Sequence, residues 1–193
     1  MTAPTTETNP TGPLQGRRVL VLSSNSGAEA AEISRPIEEL RAAGATVTVA
    51  APETGVVTTL VLDADPGPEV PVDTTHDSID PAEVDALVLP GGTLNADQLR
   101  ADDTARAITQ AVAAAGKPVA AICHAPWLLV DTGLAEGARL TSVPTIRPDL
   151  VNAGAAWEDA EVIVDDSRGY RLITSRTPDD LDAFIGAITD ALA

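Results

Sequence analysis

Apolar residues cluster in short runs along this chain. Val19-Leu20-Val21-Leu22, Ala86-Leu87-Val88-Leu89 and Val119-Ala120-Ala121-Ile122 are unbroken, and Val47-Thr48-Val49-Ala50 is interrupted only by Thr48. Runs of this length without alternation predict strands buried on both faces, as in a parallel sheet. Between the first two runs in chain order, Ile33, Ile37 and Leu40 recur at helical spacing, and Gly44 supplies a stop. Pro36 lacks an N–H, so this helix is expected to begin within about one turn before it. Ser23 to Ala28 reads as a strand-to-helix loop, and residues 17–51 as a β-α-β unit with a right-handed crossover. Further on, helices are predicted over Thr104 to Ala115 and Trp127 to Val130. Glu161 to Val164 and Arg171 to Thr174 pair as strands. Pro178-Asp179-Asp180 opens a last helix with Leu181, Phe184, Ile185 and Ile188 along one side. Residues 52–84 are less regular. Val56 to Leu62 reads as an edge hairpin, and the prolines at 66, 68 and 71 break the pattern beyond it. No internal repeat is visible.

Strands alternating with helices across short loops predict an α/β fold: a mostly parallel central sheet with helices on both faces. Such sheets carry their sites outside the carboxyl ends of the strands. Three chemically distinctive segments fall there: Ser24 to Glu32, Pro90-Gly91-Gly92, and Cys123-His124.

The 193 residues fit one domain. Residues 1–16, rich in Thr and Pro with almost no large apolar side chain, read as a disordered leader, leaving 17–193 as the domain. They do not resemble a secretory signal, and no later stretch approaches the roughly 20 apolar residues of a membrane span. The expected location is therefore the cytoplasm. Twelve basic against 29 acidic residues leave a formal charge of −17, which argues against nucleic-acid or anionic-membrane partners. Aromatic residues make up only 2%, so base-stacking platforms are not expected. The single cysteine excludes an internal disulfide.

A lone cysteine is by default an inert core residue. Cys123 departs from that default because it ends an apolar strand, precedes a helix beginning near Pro126, and has His124 as neighbour. On such an elbow the side chain is presented from a strained backbone, and the helix N-terminus favours thiolate. His124 could act as base or as imidazolium partner, or could be a hydrogen-bonded turn residue. Its backbone N–H, with those of Gly91 and Gly92, could form an oxyanion site, although a Gly-Gly pair also suits a plain tight turn. A carboxylate at Glu32 is stabilised by the first helix's dipole, or faces Cys123 with a raised pKa; spacing does not choose it over Glu29.

Together these residues resemble the PfpI family of the class I glutamine-amidotransferase-like superfamily, which also holds the Parkinsonism-associated deglycase. The matching stretches are Val19 to Ser23, Glu32 with Pro36, Ala86 to Gly92, Asn95 with Asp97 to Arg100, and Ala120 to Leu129 (AAICHAPWLL). Later come Leu140 to Ser142, Ile146-Arg147, Asn152 to Ala155 and Leu172 to Leu181 (LITSRTPDDL). The resemblance implies a flavodoxin-like sandwich with a nucleophile elbow at Cys123. It implies Cys123 as nucleophile, Glu32 as the carboxyl group beside it, His124 as catalytic neighbour, and Gly92 with the His124 backbone as oxyanion site. It also implies a homodimer, or in some members a hexamer. In peptidase-like members an acidic residue of an adjacent subunit completes a triad, and the aligned residue here is Asp97 if one insertion is allowed. Two positions depart from the pattern. Ala125 stands where a Gly is usual, and the loop before Glu32 lacks a large aromatic residue.

A glutamine amidotransferase is excluded, because its triad resembles a Cys with a downstream His, and no histidine comes after His124. The resemblance points instead to a stress-protection enzyme of glyoxalase or deglycase type. Its substrate would be a small carbonyl compound, an α-oxoaldehyde, or a modified protein carrying its adduct, and it needs neither metal nor organic cofactor. The alternatives are a non-enzymatic thiolate sensor or chaperone-like protein, and an intracellular cysteine peptidase.

Overall fold

Each apolar run forms a strand whose alternate side chains enter two separate cores. In the computed structural model, which describes residues 12–193, the strands of the main sheet are β1 (Arg18–Leu22), β2 (Thr46–Ala51), β3 (Thr74–Thr75), β4 (Ala86–Leu89), β5 (Val119–Ile122), β6 (Val162–Asp165) and β7 (Leu172–Ser175). Their order across the sheet is β6-β7-β5-β4-β1-β2-β3. Every neighbouring pair is parallel except β6 with β7, which is antiparallel. Val19, Val21, Ala86, Val88, Ala120 and Ile122 face one core, and Leu20, Leu22, Leu87, Leu89, Val119 and Ala121 face the other. A sheet covered on both sides has no polar face, which is why its central runs show no alternation.

Helices α1 (Ala30–Ala42) and α6 (Leu181–Leu192) cover the first face, through Ile33, Ile37, Leu40, Phe184 and Ile188. The second is covered by α2 (Thr93–Ala101), α3 (Asp103–Ala114), α4 (Pro126–Asp131) and α5 (Arg147–Asn152), through Leu99, Ile108, Leu128 and Leu150. The result is the expected flavodoxin-like sandwich.

Four local features differ from the sequence reading. Helix α1 begins at Ala30, six residues before Pro36, so the proline sits in its second turn. The only ladder bond it removes is the one the Glu32 carbonyl would have received. Within the expected loop, Ser26–Glu29 is a strand; it pairs in parallel with Gly55–Val61. That second strand folds back antiparallel onto Val70–Val72 and Asp65–Pro66, so the hairpin exists but in a small sheet of its own. Helix α2 was not legible as a periodic segment. Finally, Gly12 to Gly16 pack with the domain: Leu14 is fully buried and its N–H donates to the Ala43 carbonyl at 3.0 Å. The rest of the expected leader, residues 1–11, lies outside the described residues. Among the described residues no helix is long and apolar enough to cross a membrane.

Strands β5, β4 and β1 are adjacent, so their carboxyl ends bring Cys123, the Pro90-Gly91-Gly92 turn and Ser23-Ser24 to one edge.

Candidate active site

Cys123 comes directly after the last residue of β5 and has φ 62°, a left-handed conformation that L residues rarely adopt. The surroundings over-determine it. Its N–H donates to the Ser175 carbonyl at 3.1 Å, extending the β5–β7 ladder, and its carbonyl accepts from the Val143 N–H at 3.0 Å. A strained backbone held from both sides is the pattern of an elbow. Ala125, at the position where glycine is usual, lies in ordinary right-handed helical conformation at φ −56°, so a glycine is not required there.

Glu32 enters from the first turn of α1 and is fully buried. Its Oε2 accepts the Gly91 N–H at 3.0 Å, while Oε1 has no N–H or O–H donor. The carboxyl group lies against the Cys123 thiol and interacts with it. Burial, reinforced by the charge of Glu29, pushes Glu32 up to about 8. At neutral pH it is thus mostly an uncharged acid with a proton to donate. Glu29 plays a different part: its Oε2 accepts the Leu62 N–H at 2.8 Å, just beyond the end of the Gly55–Val61 strand. The two carboxylates that spacing could not separate are therefore distinguished by their partners.

The Gly-Gly turn is a steric necessity. A Cβ on Gly91 would lie 2.6 Å from Cys123 Cβ and 2.8 Å from the Ile122 carbonyl oxygen, and closer still to Glu32 Oε2. Gly92 has φ 91°, and its missing Cβ would strike the Gly27 carbonyl. This close approach directs the backbone N–H groups of Gly92 and His124 at the Cys123 sulfur, where they favour its ionised form.

The opposing influences are larger. Burial pushes the Cys123 thiol up, and the charge on Glu32 adds to this once Glu32 ionises. The expected depression by a helix dipole is not realised. Helix α4 has only six residues, and Cys123 is almost fully covered. The resting residue is a thiol. The His124 ring lies beside it: Nδ1 is 3.2 Å from Sγ, and burial lowers the pKa of the ring, keeping it neutral.

Around this centre lie residues that the sequence pattern does not single out for these roles. Asn95, fully buried on α2, accepts from the Ser24 N–H at 2.7 Å and donates to the carbonyls of Pro90 and Gly91 at 2.9 and 3.0 Å. It ties the end of β1 to the Gly-Gly turn. Thr93 lies 3.2 Å from His124 Nε2 and holds Asp63 through both its N–H and its hydroxyl. Asp63 sits in the irregular region 52–84, where no pattern marks it. Trp127 packs beside the His124 ring in a tilted arrangement, 5.4 Å between centroids. Asp97 is exposed on α2 and, among the described residues, makes no hydrogen bond or ion pair through its side chain; it shares a pocket of about 260 Å³ with Asp63, Thr93, Leu94 and Trp127. Cys123, Glu32, His124 and Gly92 are thus brought together, and Asp97 is not joined to them within one chain. Among the described residues no group of three or more His, Cys, Asp or Glu is placed to hold a metal ion.

Comparison with known proteins agrees with this fold. The profile of the DJ-1/PfpI family matches residues 17–191. A deglycase of Thermococcus kodakarensis is 42% identical over 168 residues, covering 87% of this chain and 95% of that protein. General stress protein 18 of Bacillus subtilis is 40% identical over 156 residues, covering 81% and 87% respectively. The crystal structure of Drosophila melanogaster DJ-1beta superposes with a TM-score of 0.81 at 32% identity, covering 92% of this chain and 90% of that one.

Proposed function

This chain belongs to the DJ-1/PfpI family, and from the arrangement around Cys123 we propose that it is a cysteine-dependent enzyme of glyoxalase or deglycase type. Its substrates would be α-oxoaldehydes or the adducts they form, and the cytoplasm its place of action. One observation carries this reading. A thiol held in left-handed backbone is flanked by a neutral base at 3.2 Å, a buried carboxyl group pushed up to about 8, and two N–H groups aimed at the reacting position.

In this scheme His124 Nδ1 takes the thiol proton as Sγ adds to the aldehyde carbon. The oxyanion develops against the N–H groups of Gly92 and His124 and is protonated to a hemithioacetal. A proton then moves from the former aldehyde carbon to the neighbouring carbonyl carbon, relayed by Glu32 or His124, which converts the adduct to a thioester of the 2-hydroxy acid. Water cleaves the thioester, releasing the acid and restoring the thiol. The deglycase name of the Thermococcus relative supports the substrate class.

The sensor alternative is less well supported. Peroxide-sensing thiols are exposed and ionised, whereas Cys123 is covered and pushed up. The peptidase alternative needs Asp97 from an adjacent subunit of a hexamer; we expect a homodimer, which light scattering distinguishes.

The test is a Cys123→Ser variant assayed with methylglyoxal. It should lose aldehyde consumption and hydroxy-acid formation while keeping the wild-type circular dichroism spectrum. Turnover at the wild-type rate would overturn the reading.

A further inference from the structure

We propose that His76 is a positioning residue for the site: a buried imidazolium, protonated on both ring nitrogens, that braces the end of β1 and through it the Gly-Gly turn. For activity this rests on the reading of Cys123 as nucleophile; the protonation of the ring does not.

His76 opens the turn His76–Ser78 directly after β3, and its side chain is only 3% exposed. Nδ1 lies 2.9 Å from Asp102 Oδ2, and Nε2 lies 3.1 Å from the Ser23 carbonyl oxygen. Each nitrogen thus has an acceptor of its own. A carbonyl oxygen has no proton to give. The Asp102 carboxylate has none either. Burial works against its charge, yet the Ala105 N–H, the His76 ring and the Thr104 N–H outweigh burial and hold the carboxyl below its usual range. Both bonds must therefore be donated by the ring, and a neutral imidazole has one proton to donate. A neutral ring would turn a lone pair onto an oxygen at one of the two contacts, in a buried place.

The surroundings hold a place for one positive charge. Asp102 lies between α2 and α3, and its Oδ1 caps α3 by accepting the Thr104 and Ala105 N–H groups at 2.8 and 3.1 Å. Among the described residues, its only ion-pair partner is His76. The other charged groups on the neighbouring elements are engaged elsewhere. Asp77 accepts the Thr104 hydroxyl at 3.2 Å, Asp103 pairs with Arg106, and Arg100 pairs with Asp131. The ends of β1 and β2 bring Ser23, Ser24, Ala50 and Ala51, none of them charged.

The Ser23 contact carries this anchor to the site. The Ser23 N–H donates to the Ala50 carbonyl at 3.0 Å, and its hydroxyl lies 3.0 Å from Asn95 Oδ1. The same Asn95 oxygen takes the Ser24 N–H, and the Asn95 amide holds the carbonyls of Pro90 and Gly91. The Gly91 N–H in turn donates to Glu32. An unbroken series of bonds therefore runs from Asp102 through His76, Ser23-Ser24, Asn95 and Gly91 to the carboxyl group beside Cys123. Loss of the Nε2 proton removes the bond that fixes the Ser23 carbonyl, on one side of a segment that Asn95 holds from the other.

The experiment uses full-length protein labelled uniformly with ¹⁵N. The chain has two histidines, His76 and His124, and a His124→Gln sample assigns their ring signals. At neutral pH both His76 nitrogens should carry a proton. Asp102→Asn keeps the helix cap but not the charge. Its amide can donate to Nδ1, so Nδ1 should lose its proton while Nε2 keeps its own. His76→Phe keeps a flat ring without donors. In it, hydrogen exchange at the Ser24 N–H should quicken about tenfold, with Leu20 in mid-β1 unchanged. Cys123 alkylation by iodoacetamide at neutral pH should slow about threefold. In the wild type, raising the pH should take the Nε2 proton first, because Nδ1–H faces a carboxylate. Ser24 exchange relative to Leu20 should rise over the same interval, which keeps the test decisive if His76→Phe folds poorly. A wild-type ring with one bare nitrogen at neutral pH would overturn the proposal, as would a ring unmoved by Asp102→Asn. Ser24 exchange unmoved by loss of the Nε2 proton, or alkylation unmoved in a folded His76→Phe, would also overturn it. Absence of methylglyoxal turnover in the wild type bears on the proposed function alone, since ring protonation, exchange and alkylation are read without substrate.

Discussion

Glu32 and Cys123 approach the same face of Gly91, so closely that a single methyl group there would collide with both side chains. The carboxyl group arrives on α1 and the thiol at the end of β5, and the two side chains meet beside this glycine. Both groups are buried, and among the described residues neither has a cationic partner, so the pair resists carrying two negative charges.

Gly91→Ala should therefore disrupt the site by volume alone, because Gly91 has no positive φ to lose. Moving Cys123 and the Ile122 carbonyl aside should destabilise the fold by roughly 2 kcal/mol. A lower urea midpoint, together with slowed Cys123 alkylation, is the expected outcome.

Glu32→Gln tests the raised carboxyl group. Between 4.5, the ordinary value, and about 8, the unfolded chain is ionised at this position while the folded protein keeps the proton. The folded state then binds more protons, so its stability contribution is full below 4.5 and declines as pH rises toward about 8. The slope is at most about 1.4 kcal/mol per pH unit. Gln cannot ionise, so stability of the variant should decline less than that of the wild type across this window. Above it, where the wild type holds a carboxylate against the sulfur, alkylation of the variant should rise more steeply with pH. Parallel denaturation and alkylation series check both signs.

The strain at Cys123 makes a comparison of small residues informative. Alanine normally stabilises a folded backbone relative to glycine. At φ 62° the order should invert, with Cys123→Gly more stable than Cys123→Ala by about 1 kcal/mol. Equal midpoints in urea would show that the turn relaxes on losing its sulfur.

Asn95→Leu keeps the branched shape but removes every bond of the hub. The Ser24 N–H and the carbonyls of Pro90 and Gly91 would be left without this partner in a dry environment. We expect a loss of about 3 kcal/mol, and a slower Cys123 alkylation as the Gly-Gly turn loosens. Asn95→Asp should be worse, because it aims an acceptor at two carbonyls.

Much of the scaffold could be read in advance because its signals are local. The runs Val19–Leu22, Ala86–Leu89 and Val119–Ile122 are apolar at successive positions, and burial on both faces demands that pattern. Cys123 and the Gly-Gly turn were visible for the same reason: each ends a strand, and the order of strands in such sheets puts those ends together. Helix α2 was not visible, because its buried side consists of Asn95 and Ala96, polar or small, with Leu99 the single large apolar residue.

By itself, then, the sequence determined the alternation of strands and helices, the edge at which chemistry is concentrated, and the candidate nucleophile. Tertiary structure decided how that residue is held and what surrounds it. It separated Glu32 from Glu29, since both lie at the start of one helix and only their distant partners, Gly91 and Leu62, differ. It brought Asp63 to Thr93 across 30 positions, through a strained turn in a segment without periodicity. And it set the thiol's proton affinity, which depends on burial and on neighbouring charge, quantities that exist only once the chain has closed around the site.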